Sequence, residues 1–167
     1  ETREAADTLI KSLGLPEHYA ATQIRGGDKV TEVELYEPAL FARTLERNTA
    51  LRDVLLLTDD HSILEAVRQS HPQFRWHSLC SPEERGYYNN SFTQTAAAAK
   101  REQMQRFLAQ IDAMMRADFF TGSITVGPSL FLLEMLYPNG MPTDCEPQDL
   151  NLAAQLSIPE RDKMARR

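Results

Sequence analysis

Val54-Leu55-Leu56-Leu57-Thr58-Asp59-Asp60 is the stretch on which the fold turns. Four consecutive apolar residues without polar alternation, closed by a hydroxyl and two acids, match a strand covered on both faces in a parallel sheet. Beyond it, Ile63, Leu64 and Val67 mark a helix, and Pro72 follows that helix closely. Phe74 to Leu79 alternates like a further strand, and Ser81 to Thr95, rich in Tyr and Asn, reads as a long loop. On the N-terminal side, Pro38 opens a helix carrying Leu40, Phe41 and Leu45. Before it, Tyr19 to Ile24 forms a short strand that runs into Arg25-Gly26-Gly27-Asp28. Leu9, Ile10 and Leu13 share one face of a first helix, stopped by Gly14.

The remainder repeats the alternation. Ala96 to Ala117 is the clearest helix, with Met104, Phe107, Leu108, Ile111, Met114 and Met115 at three- and four-residue steps, a stripe read as core packing. A strand over Asp118 to Thr121, a turn over Gly122 to Gly127 and a helix over Pro128 to Leu136 follow, and beyond Pro138 the chain reads as irregular, with a short terminal helix after Pro159. Strands alternating with helices imply parallel pairing, hence an α/β, Rossmann-like open sheet with helices on both faces. The division expected is a lobe over 1–140 and an irregular extension over 141–167.

Composition bounds the function. The 167 residues suit one domain, and 42% hydrophobic with 25% charged content is ordinary for a globular chain. A net charge of -6 argues against a nucleic-acid surface, which needs a basic stripe. The basic cluster Arg161, Lys163, Arg166 and Arg167 reads as a frayed tail, and no apolar run is long enough to span a bilayer. Cys80 and Cys145 have no metal-ligand spacing, leaving one bridge or two free thiols open; Asn89-Asn90-Ser91 is a formal glycosylation sequon. His18, His61, His71 and His77 are scattered and form no metal or triad pattern. Glu1 leads straight into a helical pattern, with neither initiator Met nor signal segment, as in a piece of a longer protein.

In open α/β sheets ligands gather at the carboxyl ends of the strands, which directs attention to Arg25–Lys29, Thr58–His61 and Ser123–Gly127. An Arg backed by two glycines offers a guanidinium fork and accessible backbone, both suited to a phosphate or diphosphate. Asp28 is placed to orient Arg25 or Lys29. The spacing matches neither the dinucleotide glycine fingerprint nor the P-loop.

Gln23 to Val30 resembles the first signature of the α-1,6-fucosyltransferase, nodulation fucosyltransferase and protein O-fucosyltransferase group, a strand ending in His-x-Arg-Arg-x-Asp-Lys. Val54 to Asp60 is similar to that group's apolar strand closed by Thr-Asp-Asp, and Ala117 to Ser129 sits where its last strand and hydroxyl-rich turn occur. The likeness runs through most of Leu9 to Pro138. It implies the C-terminal lobe of a two-lobe GT-B glycosyltransferase that holds a GDP-sugar, GDP-fucose in the family, as donor substrate and uses no metal or other cofactor. Arg25 then falls on the Arg that grips the β-phosphate, where a fixed cation stabilises the charge that grows as the sugar leaves. Thr125 and Ser123 supply hydroxyls to the phosphate, Gln23 faces the base, and Lys29 and Asp28 support. The guanine-reading Asp falls on Gln110 without gaps, with Asp112 half a helical turn away. The general base falls on Val33 without gaps, so Glu32 or Glu34 serves if the loop shifts by one; the alternative is that both are solvated surface carboxylates. The sequence departs from the signature at Gly26, where the family has its second Arg, and at Thr125-Val126, where it has two hydroxyl residues.

The implied partners are a nucleotide sugar, the N-terminal lobe of the parent chain and a glycan or protein acceptor, in the Golgi and secretory pathway or in bacterial envelope synthesis. The isolated chain is expected to transfer little or no sugar, because the acceptor docks largely on the other lobe. Two alternatives stand beside this reading. The loss of one Arg and one hydroxyl suits a catalytically degenerate nucleotide-binding or purely structural α/β domain. The Asp59-Asp60-His61 run, with Asp118 further on, looks like the acid pocket of a receiver-like phosphoacceptor domain, although its acids do not close the strands in the receiver order.

Overall fold

The computed structural model describes residues 2–28, 36–136 and 139–142. Its elements run α1 (Thr2–Ser12), β1 (Ala20–Ile24), α2 (Pro38–Asn48), β2 (Asp53–Thr58), α3 (His61–Ser70), β3 (Arg75–His77), α4 (Asn89–Gln94), α5 (Ala97–Met115), β4 (Phe119–Gly122), α6 (Gly127–Met135) and β5 (Gly140–Pro142). The five strands form one sheet in the order β3-β2-β1-β4-β5, and every pairing is parallel. The fold is therefore the expected Rossmann-like α/β open sheet, with helices on both faces.

Alternation along each strand explains the two layers. Ala20, Ile24, Val54, Leu56 and Trp76 pack with Phe41 and Leu45 of α2 and Leu64 and Val67 of α3. Ala21, Leu55, Leu57 and Phe120 point the other way, against Met114 of α5, Leu132 and Leu133 of α6 and Ile10 near the end of α1. All six residues of β2 are buried, as a strand covered on both faces requires. Gly122 lets α6 approach β4: a Cβ there would lie 2.7 Å from the Ser129 hydroxyl.

Three expectations are corrected. The loop over Ser81 to Thr95 contains α4, a helix with no buried residue and hence no apolar period to announce it. Gly140–Pro142, read as irregular, adds a fifth strand across the expected boundary at residue 140; it lies at the sheet edge, where proline is tolerated. The methionine stripe of α5 is only partly core. Ala109, Gln110, Ala113 and Met114 are buried, whereas Met104, Leu108 and Met115 are exposed. Ala113 and Met114 share a core cluster with Ala21, Leu55 and Leu57 of the sheet. Lys29, Glu32, Glu34, Cys145, the expected terminal helix and the basic cluster lie outside the described residues. Cys80 is a free, buried thiol, and burial, reinforced by the nearby Glu84, pushes its pKa up to about 12. No helix among the described residues is long and apolar enough to cross a membrane.

One ionic cluster closes the β2–β3 edge. The Arg75 guanidinium donates to both oxygens of Asp53, through Nε at 2.7 Å and through Nη2. His77 sets Nε2 3.0 Å from Asp53 Oδ1 and Nδ1 2.9 Å from the Leu13 carbonyl, tying the α1–β1 connection to the sheet. The Arg75 hydrogen bonds, aided by His77 and opposed by burial, lower the Asp53 pKa from 3.8 to about 2. A carboxyl whose folded-state pKa lies below its unfolded value stabilises the fold fully above about pH 4 and loses that contribution as pH falls towards 2. Asp53→Asn is expected to cost about 1–2 kcal/mol at pH 7, Arg75 being exposed and screened. Urea denaturation at descending pH checks this: the gap between wild type and variant should narrow below pH 4.

Candidate functional site

Chain order and sheet order together locate the site. From β1 the chain moves to β2 and β3 on one side, then returns through α4 and α5 to β4 on the other. The connections after β1 and β4 therefore diverge, leaving a crevice at the carboxyl ends of these two neighbours, the place where doubly wound sheets bind ligands. Gln23, Ile24, Arg25, Tyr36, Phe41, Ser123, Thr125 and Val126 line it. Two of the three turns singled out in the sequence thus meet there.

The side chains at the crevice are held by specific contacts. Ser123 and Thr125 hydroxyls lie 2.7 Å apart, and the Thr125 N–H donates to Ser123 Oγ at 3.2 Å. Directly after them α6 begins, with Val126 at its N-cap and no side-chain cap, so the positive end of the helix opens towards the same crevice. Arg25 is about one-quarter exposed (23%) and sits between two carboxylates. Its Nη2 donates to Asp28 Oδ1 at 3.0 Å, and its Nε lies 3.2 Å from Asp59 Oδ2 without the alignment of a hydrogen bond. The guanidinium also lies over the Tyr87 ring, 5.3 Å from its centroid.

Asp59 knots the β2 side of the sheet edge. Its Oδ1 accepts the Gly26 N–H at 2.7 Å, and its Oδ2 accepts the Tyr87 N–H at 2.8 Å. The Asp28 N–H donates to the Tyr87 carbonyl at 3.0 Å, and Gly27 and Gly86 meet backbone to backbone, both at positive φ. Asp60 caps α3 by accepting the Ser62 N–H at 2.9 Å. With β1, β2 and the 84–89 turn bound together, the open half of the edge is the one between β1 and β4. The crevice encloses only about 20 Å³, space for about one water molecule.

Several sequence assignments change. Gln23 is buried and its Oε1 accepts the Ser129 hydroxyl at 2.7 Å, so it ties β1 to α6 on the crevice floor instead of presenting that oxygen to a base. Asp112 lies near the end of α5, which leads towards the start of β4 and so away from the crevice; it pairs with Arg116, which also reaches Asp7 of α1 at 3.3 Å. Gln110 is buried, with Nε2 3.5 Å from the Arg106 carbonyl. Asp118 belongs to the amino end of the sheet, accepting the Tyr19 N–H at 3.1 Å and facing His18 at 3.2 Å. It is thus remote from Asp59 and Asp60, and no three-acid receiver pocket forms. Among the described residues, no group of three His, Cys, Asp or Glu side chains is arranged to hold a metal ion.

Two participants take their roles at the site from tertiary contacts. Asp59 belonged to a quoted stretch but gained a role only through partners 33 and 28 residues away. Tyr87 lay in a region read as loop, where only the adjacent Gly86 marks a special backbone position. A wider hollow of about 480 Å³ lies at the amino ends of the strands, lined by His18, Asn48, Thr49, Asp118 and Asn139. It is met by the C-terminal end of α2, whose carbonyl dipole repels anions, so the smaller crevice is the better phosphate site. No protein-family model matches the chain, and no curated protein matches it.

Proposed function

We propose that this chain is the donor-binding lobe of a metal-independent glycosyltransferase, holding a GDP-sugar of the GDP-fucose type at the crevice between β1 and β4. The observation that carries the reading is the convergence of Arg25, the Ser123–Thr125 hydroxyl pair and the uncapped start of α6 at that crevice. A guanidinium, two hydroxyls and a helix N-terminus are the groups that recognise a diphosphate. As the sugar departs, charge grows on the bridging and terminal phosphate oxygens, and donors already fixed around them lower the barrier. Catalysis further requires a base for the acceptor hydroxyl, the role assigned to Glu32 or Glu34, with Lys29 in a supporting role. The acceptor and the second lobe lie outside this chain in this reading.

A second reading is favoured by two observations: Arg25 already faces two carboxylates, and the crevice is small. Those features suit a lobe that keeps the fold without the ligand. Calorimetric titration of GDP separates the two. On the donor-site reading GDP binds, and the double variant Ser123→Ala/Thr125→Val binds about tenfold more weakly through loss of hydroxyl hydrogen bonds. Absence of GDP binding by both this chain and its parent protein favours the structural lobe.

A further inference from the structure

The two carboxylates beside Arg25 are held in different ways. Asp59 has an oxygen on each of two backbone N–H groups, Gly26 at 2.7 Å and Tyr87 at 2.8 Å, so the loops fix it independently of the guanidinium. Asp28 reaches Arg25 by a single bond, Oδ1 to Nη2, at 3.0 Å. Its other oxygen accepts the Asn89 N–H at 2.9 Å, at the first residue of α4, and its own N–H is bonded to the Tyr87 carbonyl. Breaking the bond to Arg25 therefore leaves Asp28 anchored, as an acceptor at the start of α4. The guanidinium in turn keeps Asp59 beside Nε and the Tyr87 ring against its face. Asp59 stands beside Arg25 as a countercharge fixed by the backbone, and Asp28, joined to Arg25 by one hydrogen bond, is the partner that an anion can replace.

We propose that Asp28 is an internal rival of the ligand: it pairs with Arg25, and a phosphate-bearing anion must displace it to bind. This rests on Arg25 being the anion-binding residue of the function proposed above. Among the described residues, an arriving anion meets one guanidinium and two carboxylates. A diphosphate, with several charges and acceptor oxygens, replaces the single Asp28 contact and also engages Ser123, Thr125 and the start of α6. A singly charged anion replaces like with like and gains little. Asp28 thereby sets a threshold that favours diphosphates over simple anions.

The test is calorimetric titration of inorganic pyrophosphate and of GDP into the wild-type chain, Asp28→Asn, Asp28→Ser and Arg25→Ala, with thermal unfolding to verify that each variant folds. Asparagine keeps an acceptor for the Asn89 N–H while losing the charge. Both Asp28 variants should bind pyrophosphate about tenfold more tightly than wild type, and the gain should shrink with added salt, as expected for removal of one charge close to the ligand. It should vanish in Asp28→Asn/Arg25→Ala. Unchanged or weaker binding by both folded Asp28 variants, while the wild type binds through Arg25, overturns the rival role and leaves the donor site standing. Failure of every folded protein to bind either ligand overturns both.

Discussion

Alanine at Gly27 is expected to destabilise the fold by about 3–4 kcal/mol, far more than a surface-loop substitution. Two costs add. Gly27 has φ +57, a conformation that costs a residue with a Cβ about 1–2 kcal/mol. The Cβ itself would lie 2.3 Å from the Tyr87 carbonyl oxygen and 2.5 Å from the Tyr87 nitrogen. Backbone cannot swing aside as a flexible side chain can, so the 84–89 turn must retreat. Its retreat endangers the Asp28–Tyr87 and Tyr87–Asp59 bonds together. Gly14 supplies the control: it has φ +60, and a Cβ there would meet nothing within 4 Å. Gly14→Ala should therefore show the conformational cost alone, about 1–2 kcal/mol. Urea denaturation of both variants measures the difference. Equal losses would mean that the two glycine loops do not pack as described.

That contrast also shows which features a sequence can disclose. Val54 to Leu57 announced β2 because burial on both faces leaves a continuous apolar run. Pro38 and the spacing of Phe41 and Leu45 announced α2 through local chemistry. β5 gave no warning, since Gly140-Met141-Pro142 is too short for a period and becomes a strand only through β4. The site follows the same division. Arg25, Ser123 and Thr125 could be singled out by type and by position at strand ends. That Arg25 is held between Asp28 and Asp59 depends on a contact spanning 34 residues, and no local pattern encodes it. The placements of Gln23 and Asp112 have the same origin. A side chain at a strand end or on a helix can be numbered from the sequence, but the face it turns to is decided by packing: Gln23 meets Ser129 under α6, and Asp112 turns to Arg116.

Arg25→Ala is expected to weaken GDP binding about a hundredfold, the loss of a charge-assisted, partly buried guanidinium contact of about 2–3 kcal/mol. The same substitution removes the guanidinium that both Asp28 and Asp59 face, so stability should fall too. Loss of binding by itself would not separate a ligand-gripping arginine from one that merely holds the knot. Arg25→Lys makes the separation. A lysine keeps the positive charge near both acids but lacks the planar fork that addresses two phosphate oxygens while Nε faces Asp59. It should recover most of the stability and only part of the affinity, leaving GDP about tenfold weaker than wild type. Calorimetry and urea denaturation on the same preparations give both quantities. Full recovery of binding with lysine would mean that bulk charge suffices and the fork geometry is irrelevant. Restored stability with GDP binding unaffected in every variant would make Arg25 a tie between loops, and the crevice between β1 and β4 would lose its claim on a diphosphate.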